Sequence, residues 1–416
     1  MEEKMTSKER IMAAIGHKTP DRVPLDLGGT PSSGISAIAY NNLKKHLQIT
    51  EGNTRIYDVV QQVVIPEPEI MERFGVDVID IGRVFNTKDE DWYDTTLADG
   101  SKAQYPVWFK PEKQADGAYL VHDKEGTLIA KMPVGATFFD QTYFPYVDDY
   151  PDNYDNLDYE MGKILWDALV HSPWDHAGEA GFYEELRKRT IMLRKNTDKA
   201  LMITCGCNLF EWGTFLRRID NFLMDTYAEP EEVEGLVEQL MVRHLATLEK
   251  VCEAVGDVVD ILRFGDDLGM DTGMFMSREK YQELFKPHHT KLNDYVHKHS
   301  KMKTFLHSCG SIYPIMGDLI DAGYDIINPV QTTAYQMDPA TLKREFGKDI
   351  TFWGGGCNTR SILNRSTPIE VYEYTRKMID IFNQDGGFVF NQEHNIMPDV
   401  PPENLIAMYK AVADAK

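Results

Sequence analysis

The residues best suited to metal chemistry lie in the last third of this 416-residue chain. In MKTFLHSCGS, His307 and Cys309 stand one residue apart at the end of an apolar run. If that run is a strand, its period of two turns both side chains to one face, as two ligands of a single ion require. Imidazole nitrogen and thiolate sulfur are both zinc donors. Cys357 in WGGGCNTR and His394 in FNQEHNIMPDVPPEN offer further ligands, so the candidate metal group is His307, Cys309, Cys357 and His394. The competing reading is a hydrogen-bonded pocket histidine beside packed thiols, because free cysteine is among the most buried residue types.

Acids at other strand ends could supply proton chemistry. Asp266 and Asp267 follow VVDILRF, where paired carboxylates can share a proton, hold a metal or cap the loop. Asp80 closes DVIDIG, and Glu393 stands beside His394 with Gln392 before it. Among these, Glu393 and Asp267 are candidate acids, and Asp80, Asp266 and Gln392 are candidate substrate contacts. Trp212, with Phe210 and Trp353, could line a pocket for a flat substrate, with core packing the other reading. Cys205 and Cys207 share a strand face, Cys252 lies on a helix as filler, and His288 and His289 read as an exposed helical pair without a role. The three glycines before Cys357 lack the Lys and Ser or Thr of a phosphate loop; they suit close approach of a ligand or partner to a glycine-rich rim.

A scaffold must bring these scattered segments together. Apolar runs of strand length recur with helical segments between them: RVPLDL, VDVIDIG, ALMITCG, VVDILRFGDD, MKTFLHSCG, YDIINPV, ITFWGGG and GFVFNQEH. Such alternation predicts a parallel sheet, and eight units over this length predict an α/β (β/α)8 barrel forming a single domain over residues 1–416. Thr367-Pro368 with Glu370, and Asp338-Pro339, mark helix starts. Asp-Gly and Glu-Gly turns between short alternating runs predict a β-rich insertion at about 88–147. In such a barrel the active site sits at the C-terminal ends of the strands, where most of the residues above fall.

Composition narrows the partners. A formal net charge of −22 argues against nucleic acid. No run reaches the length of a membrane span, and the N-terminus lacks the apolar stretch of a signal peptide, so a cytoplasmic protein off the membrane is expected. Five cysteines without regular spacing fit reduced thiols. Assembly with further copies of the chain is left open.

DRVPLDLGG, HSCGSIYPIMGDLIDAGYDIINPVQ, FWGGGCNTRSIL and GFVFNQEHNIMPDVPPENLIAMY together resemble the uroporphyrinogen decarboxylase superfamily over nearly the whole chain. The resemblance implies a TIM barrel and one of two chemistries. Decarboxylases carry arginines in the loop after the first strand, whereas this chain has GGTPSSGIS there, without a positive charge. The other branch, the corrinoid-dependent methyltransferases, binds zinc through a His-x-Cys pair that His307 and Cys309 match. The cysteine expected near the last strand of thiol-activating members is replaced by His394, with Cys357 one strand earlier. Fewer thiolates make zinc a better Lewis acid. The resemblance therefore implies a zinc methyltransferase that takes a methyl group from a small donor, an aryl methyl ether, with Glu393 or Asp267 assisting the leaving oxygen. The acceptor is the Co(I) corrinoid (cobalamin) of a separate carrier protein. The alternatives are a metal-free decarboxylase using Asp80 or Asp267, a non-catalytic corrinoid or tetrapyrrole binder, and methyl transfer in the reverse direction.

Overall fold

The computed structural model describes residues 4–166 and 169–415. Seven strands form one parallel sheet: β2 (Val78–Asp80), β3 (Ala200–Gly206), β4 (Ile261–Gly265), β5 (Lys303–His307), β6 (Ile326–Asn328), β7 (Thr351–Trp353) and β8 (Phe388–Val389), paired in chain order. Their residues are almost wholly buried, as expected of parallel strands covered on both faces.

The eighth apolar run closes the ring through one bridge. Leu25, here β1, pairs parallel with Phe390 just beyond β8. The Phe390 amide donates to the Pro24 carbonyl at 2.8 Å, and the Asp77 amide, just before β2, donates to the Leu25 carbonyl at 2.8 Å. The sheet thus curls into the predicted α/β barrel.

Alternation along the strands sorts the core. Val78, Met202, Ile261, Phe305, Ile326, Trp353 and Val389 pack together in the barrel interior. Ile11, Ala14 and Ile15 of the helix Ser7–Ile15 join that cluster. Their neighbours Ile79, Ile203, Leu262, Leu306, Ile327 and Phe352 belong to the larger cluster beneath the outer helices. Residues two positions beyond the interior layer therefore point inward at the C-terminal mouth: Asp80, Arg263, His307 and Asn328. The register sets Gly265 beside His307, and His307 beside Asn328.

Helices start where the capping signals predict. Thr367 and Glu370 form a capping box for Pro368–Phe382, and Asp338 caps Pro339–Phe346. Between β2 and β3 the chain forms an antiparallel pair, Trp92–Thr96 with Lys102–Pro106, and a four-stranded antiparallel sheet within Glu112–Gln141. This region leans on the barrel mouth, where the Tyr105 hydroxyl donates to Gln62 Oε1 at 2.5 Å. Among the described residues, no helix is long and apolar enough to cross a membrane.

Candidate metal centre and cleft

His307 ends β5, Cys309 follows in the loop, and His394 lies beyond β8. Their ligating atoms all lie within 4.8 Å of one another. Cys309 Sγ is 3.4 Å from His307 Nε2. The outer ring nitrogens are already committed, His307 Nδ1 to Asn328 Oδ1 at 2.5 Å and His394 Nδ1 to Asn395 Oδ1 at 2.6 Å. Asn328 donates its own amide to the Trp353 carbonyl, so its oxygen must accept from His307, which places that proton on Nδ1. Asn395 likewise donates its amide to Gln61 Oε1, so each Nε2 carries the lone pair a metal would take, that of His307 with Ser32 Oγ and Cys309 Sγ each 3.4 Å away.

Electrostatics agree with that assignment. Burial pulls both imidazoles below their usual range, so they are neutral, the form in which histidine ligates. Burial, then nearby Asp267 and Glu211, pushes the Cys309 thiol well up, so a cation is needed to draw off its proton. Two oriented imidazoles and one thiol are a zinc-type donor set that leaves a coordination position for water or substrate. The loop carrying Cys309 is held by its amide, which donates to Asp267 Oδ1 at 2.8 Å.

Beside this group a cleft opens, lined by Ser32, Asp58, Trp166, His171, Glu211, Arg263, Asp267, His307 and His394. Asp267 lies in the cleft, with Oδ1 3.9 Å from His307 Nε2.

Other expected members sit elsewhere. Cys357 is fully buried in the outer core, its sulfur 4.0 Å from the Asn358 carbonyl, and it is not in the ligand group. The left-handed backbone at Gly354 and Gly355 (φ 129° and 68°) turns the chain out of the barrel ahead of it. Those glycines form no open rim: a Cβ at Gly354 would meet the Pro329 carbonyl at 2.1 Å, and one at Gly356 would meet Phe390 at 2.4 Å.

Glu393 points away from the cleft. It accepts from the Thr332 amide and hydroxyl at 3.0 and 2.5 Å and from Asn358 Nδ2 at 2.6 Å, which makes it a loop tie. Gln392 is likewise structural, donating to the Ser33 carbonyl at 3.1 Å. Asp266 accepts from the Phe210 and Glu211 amides at 3.1 and 2.9 Å and pairs with His289 Nε2 at 3.0 Å. His289 is therefore a buried partner of Asp266, not an exposed helical residue. Trp212 packs edge-to-face on Phe215 in the core. Asp80 faces a separate small cavity shared with Tyr57, Arg83 and Ser172.

Sequence reasoning passed over Glu211, Arg263 and His171. Burial, then Asp267 and Asp266 nearby, raises the Glu211 carboxyl well above its usual range, which favours its protonated form. Its Oε2 accepts from Asn208 Nδ2 at 2.5 Å. Arg263 had a readable signal, a charge at an inward position of an otherwise apolar strand. His171 had none, because it stands on an irregular connection.

Comparison with known proteins agrees with the fold. A curated uroporphyrinogen decarboxylase from Methylococcus capsulatus is 29% identical over 94 residues, 23% of this chain and about a quarter of that relative's length. A solved structure described as a methyltransferase from Methanosarcina mazei superposes with a TM-score of 0.57 at 14% identity, covering 99% of each chain; that likeness is one of fold. The family model described as Uroporphyrinogen decarboxylase (URO-D) matches residues 204–415, half the chain, from the end of β3 through every later barrel strand. On that match the chain belongs to the uroporphyrinogen decarboxylase family.

Proposed function

We propose that this protein is a zinc-dependent methyltransferase that takes the methyl group of a small O-methylated donor, an aryl methyl ether, and passes it to the Co(I) corrinoid of a separate carrier protein. The observation that carries the reading is the convergence of His307, Cys309 and His394 at the barrel mouth beside a cleft that Glu211 lines. Zinc held there would supply Lewis-acid polarisation of the donor's oxygen, and the corrinoid would supply the nucleophile for the methyl carbon. The chain's own part is orientation and proton supply. Asn328 and Asn395 fix the two imidazoles, and Asp267 fixes the Cys309 loop. As the methyl–oxygen bond breaks, its electron pair stays on oxygen, and Glu211 is the group placed to give that oxygen a proton.

The loop Gly28–Ser36 supports methyl transfer over tetrapyrrole decarboxylation. It carries no cation and is largely buried against the mouth, with Ser32 3.4 Å from His307. The test is metal analysis of the purified full chain together with incubation of aryl methyl ethers and reduced cobalamin. Near-stoichiometric zinc and ether-dependent methylcobalamin are expected. No zinc after its addition, or turnover of uroporphyrinogen without metal, overturns the reading.

A further inference from the structure

Neither the metal group nor the fold accounts for Arg263. It stands on β4, 6% exposed, and lines the cleft. One nitrogen donates to Ser32 Oγ at 3.1 Å, and its Nε has no partner. Among the described residues, no carboxylate oxygen comes within 4.0 Å of the guanidinium. Buried arginines that serve the fold look different here. Arg10, 2% exposed, engages Asp21, Asp77 and the Met5 carbonyl. Arg217 engages Asp225 and the carbonyls of Tyr146 and Val147.

Acids in the same cleft, Glu211 and Asp267 first, act on it only across space, and none contacts it. Asp58 accepts from the Val60 and Gln61 amides, Asp267 from Cys309, and Glu211 from Asn208. Taking a guanidinium out of water without a carboxylate in contact is costly, and part of that cost is recovered when an anion docks on it. His171, 3% exposed, adds a second unpartnered polar atom, Nε2, to the same wall.

We propose that Arg263, with His171, is the docking point for a carboxylate carried by the methyl donor, so that the substrates are small methoxylated carboxylic acids. The methoxy end rests on the methyl-transfer reading; the carboxylate end rests on Arg263. Ser32 Oγ touches both Arg263 and His307 Nε2, at 3.1 and 3.4 Å, so a single hydroxyl separates the guanidinium from the metal group and one small molecule can reach both. The planar fork of arginine suits a carboxylate better than an ammonium would.

The test is calorimetric binding of 3-methoxybenzoate and its neutral counterpart 3-methoxybenzamide to the zinc-loaded full chain, to Arg263→Met and to Arg263→Lys. The parent should bind the carboxylate at least about tenfold more tightly than the amide. That preference should fall to about twofold or less in Arg263→Met at unchanged zinc content, and part of it should remain in Arg263→Lys. If Arg263→Met does not fold, a several-fold loss of carboxylate affinity in Arg263→Lys, with amide binding unchanged, carries the same conclusion. Equal affinities in the parent, no binding of either compound, or a preference that stays at the parent's size in both variants overturns the proposal. Survival would place the carboxylate on the metal. Methyl transfer to reduced cobalamin is read separately: carboxylate selectivity without transfer fails the methyltransferase reading alone, and transfer without selectivity fails this one alone.

Discussion

Cys309 and Cys357 both follow barrel strands and both carry thiols raised by burial, Cys357 to about 12. Their surroundings nevertheless demand opposite outcomes on substitution. Cys309 shares one ligand group with two imidazoles, so Cys309→Ala should bring zinc from near one per chain to below about a tenth while the metal-free melting temperature stays close to the parent's. His394→Ala should do the same. Cys357 fills apolar space, so Cys357→Ala should keep its zinc and lose about 1–2 kcal/mol in urea unfolding. Zinc loss in Cys357→Ala would return that residue to the ligand group. At the other wall of the cleft, Glu211→Gln keeps the shape and the Asn208 contact but has no proton to give. Its turnover should drop about 10²–10³-fold with zinc content and KM little changed. An unchanged rate would remove Glu211 from proton transfer.

β1 is joined to the barrel by a single bridge, so something other than a ladder must hold it. Asp77 takes that part: fully buried, it accepts from Arg10 at 2.7 Å, from both Arg22 nitrogens at 2.8 Å and from the Leu25 amide at 3.0 Å. Asp77→Asn leaves two guanidinium groups short of a charge and should cost about 3–5 kcal/mol, with faster hydrogen exchange at Asp26, whose amide bonds the Phe390 carbonyl. A loss below about 1 kcal/mol would mean that the barrel closes without this clamp. The element scale is also where the sequence is most readable. Strands buried on both faces appear as apolar runs, so all eight stand out; His307 and Cys309 do meet, but the strand ends at His307 and the loop tied by Asp267 sets Cys309. What strand periodicity does not carry is the path of the chain once a strand ends. Cys357 follows β7 by a few residues, but the left-handed glycines before it reverse the side on which it emerges, and Glu393 and Gln392 turn to neighbouring loops in the same way. His289 reads as exposed because its partner, Asp266, lies 23 positions earlier on another element. Glu211 stands on the helix after β3, where an acid looks like ordinary surface until the fold covers it.

Across the whole molecule, buried acids and buried histidines pull stability in opposite directions with pH. Burial raises Asp80 to about 7 and Asp26 to about 6. A raised carboxyl binds its proton more tightly when folded, so its contribution is fully present near pH 4 and is lost as pH climbs through 6 and 7. Burial lowers His171 to about 3 and His244 to about 4. A lowered histidine is more easily protonated when unfolded, so its contribution is present above about pH 6.5 and is lost as pH falls toward 4. Between pH 4 and 6.5 the two sets oppose each other, and the parent's stability curve is expected to be shallow there. Subtracting a single variant isolates one member. Asp80→Asn preserves an acceptor for the Gly82 amide, which Asp80 Oδ1 takes at 2.5 Å, and removes only the ionisation. Relative to the parent, it should be near neutral at pH 4 and gain stability up to pH 7, by at most about 4 kcal/mol, then level off. Urea unfolding of both chains at pH 4, 5.5, 7 and 8 measures that difference. A gap that stays constant with pH would mean that Asp80 ionises as freely in the barrel as in the unfolded chain, and that its small cavity admits enough water to solvate the charge.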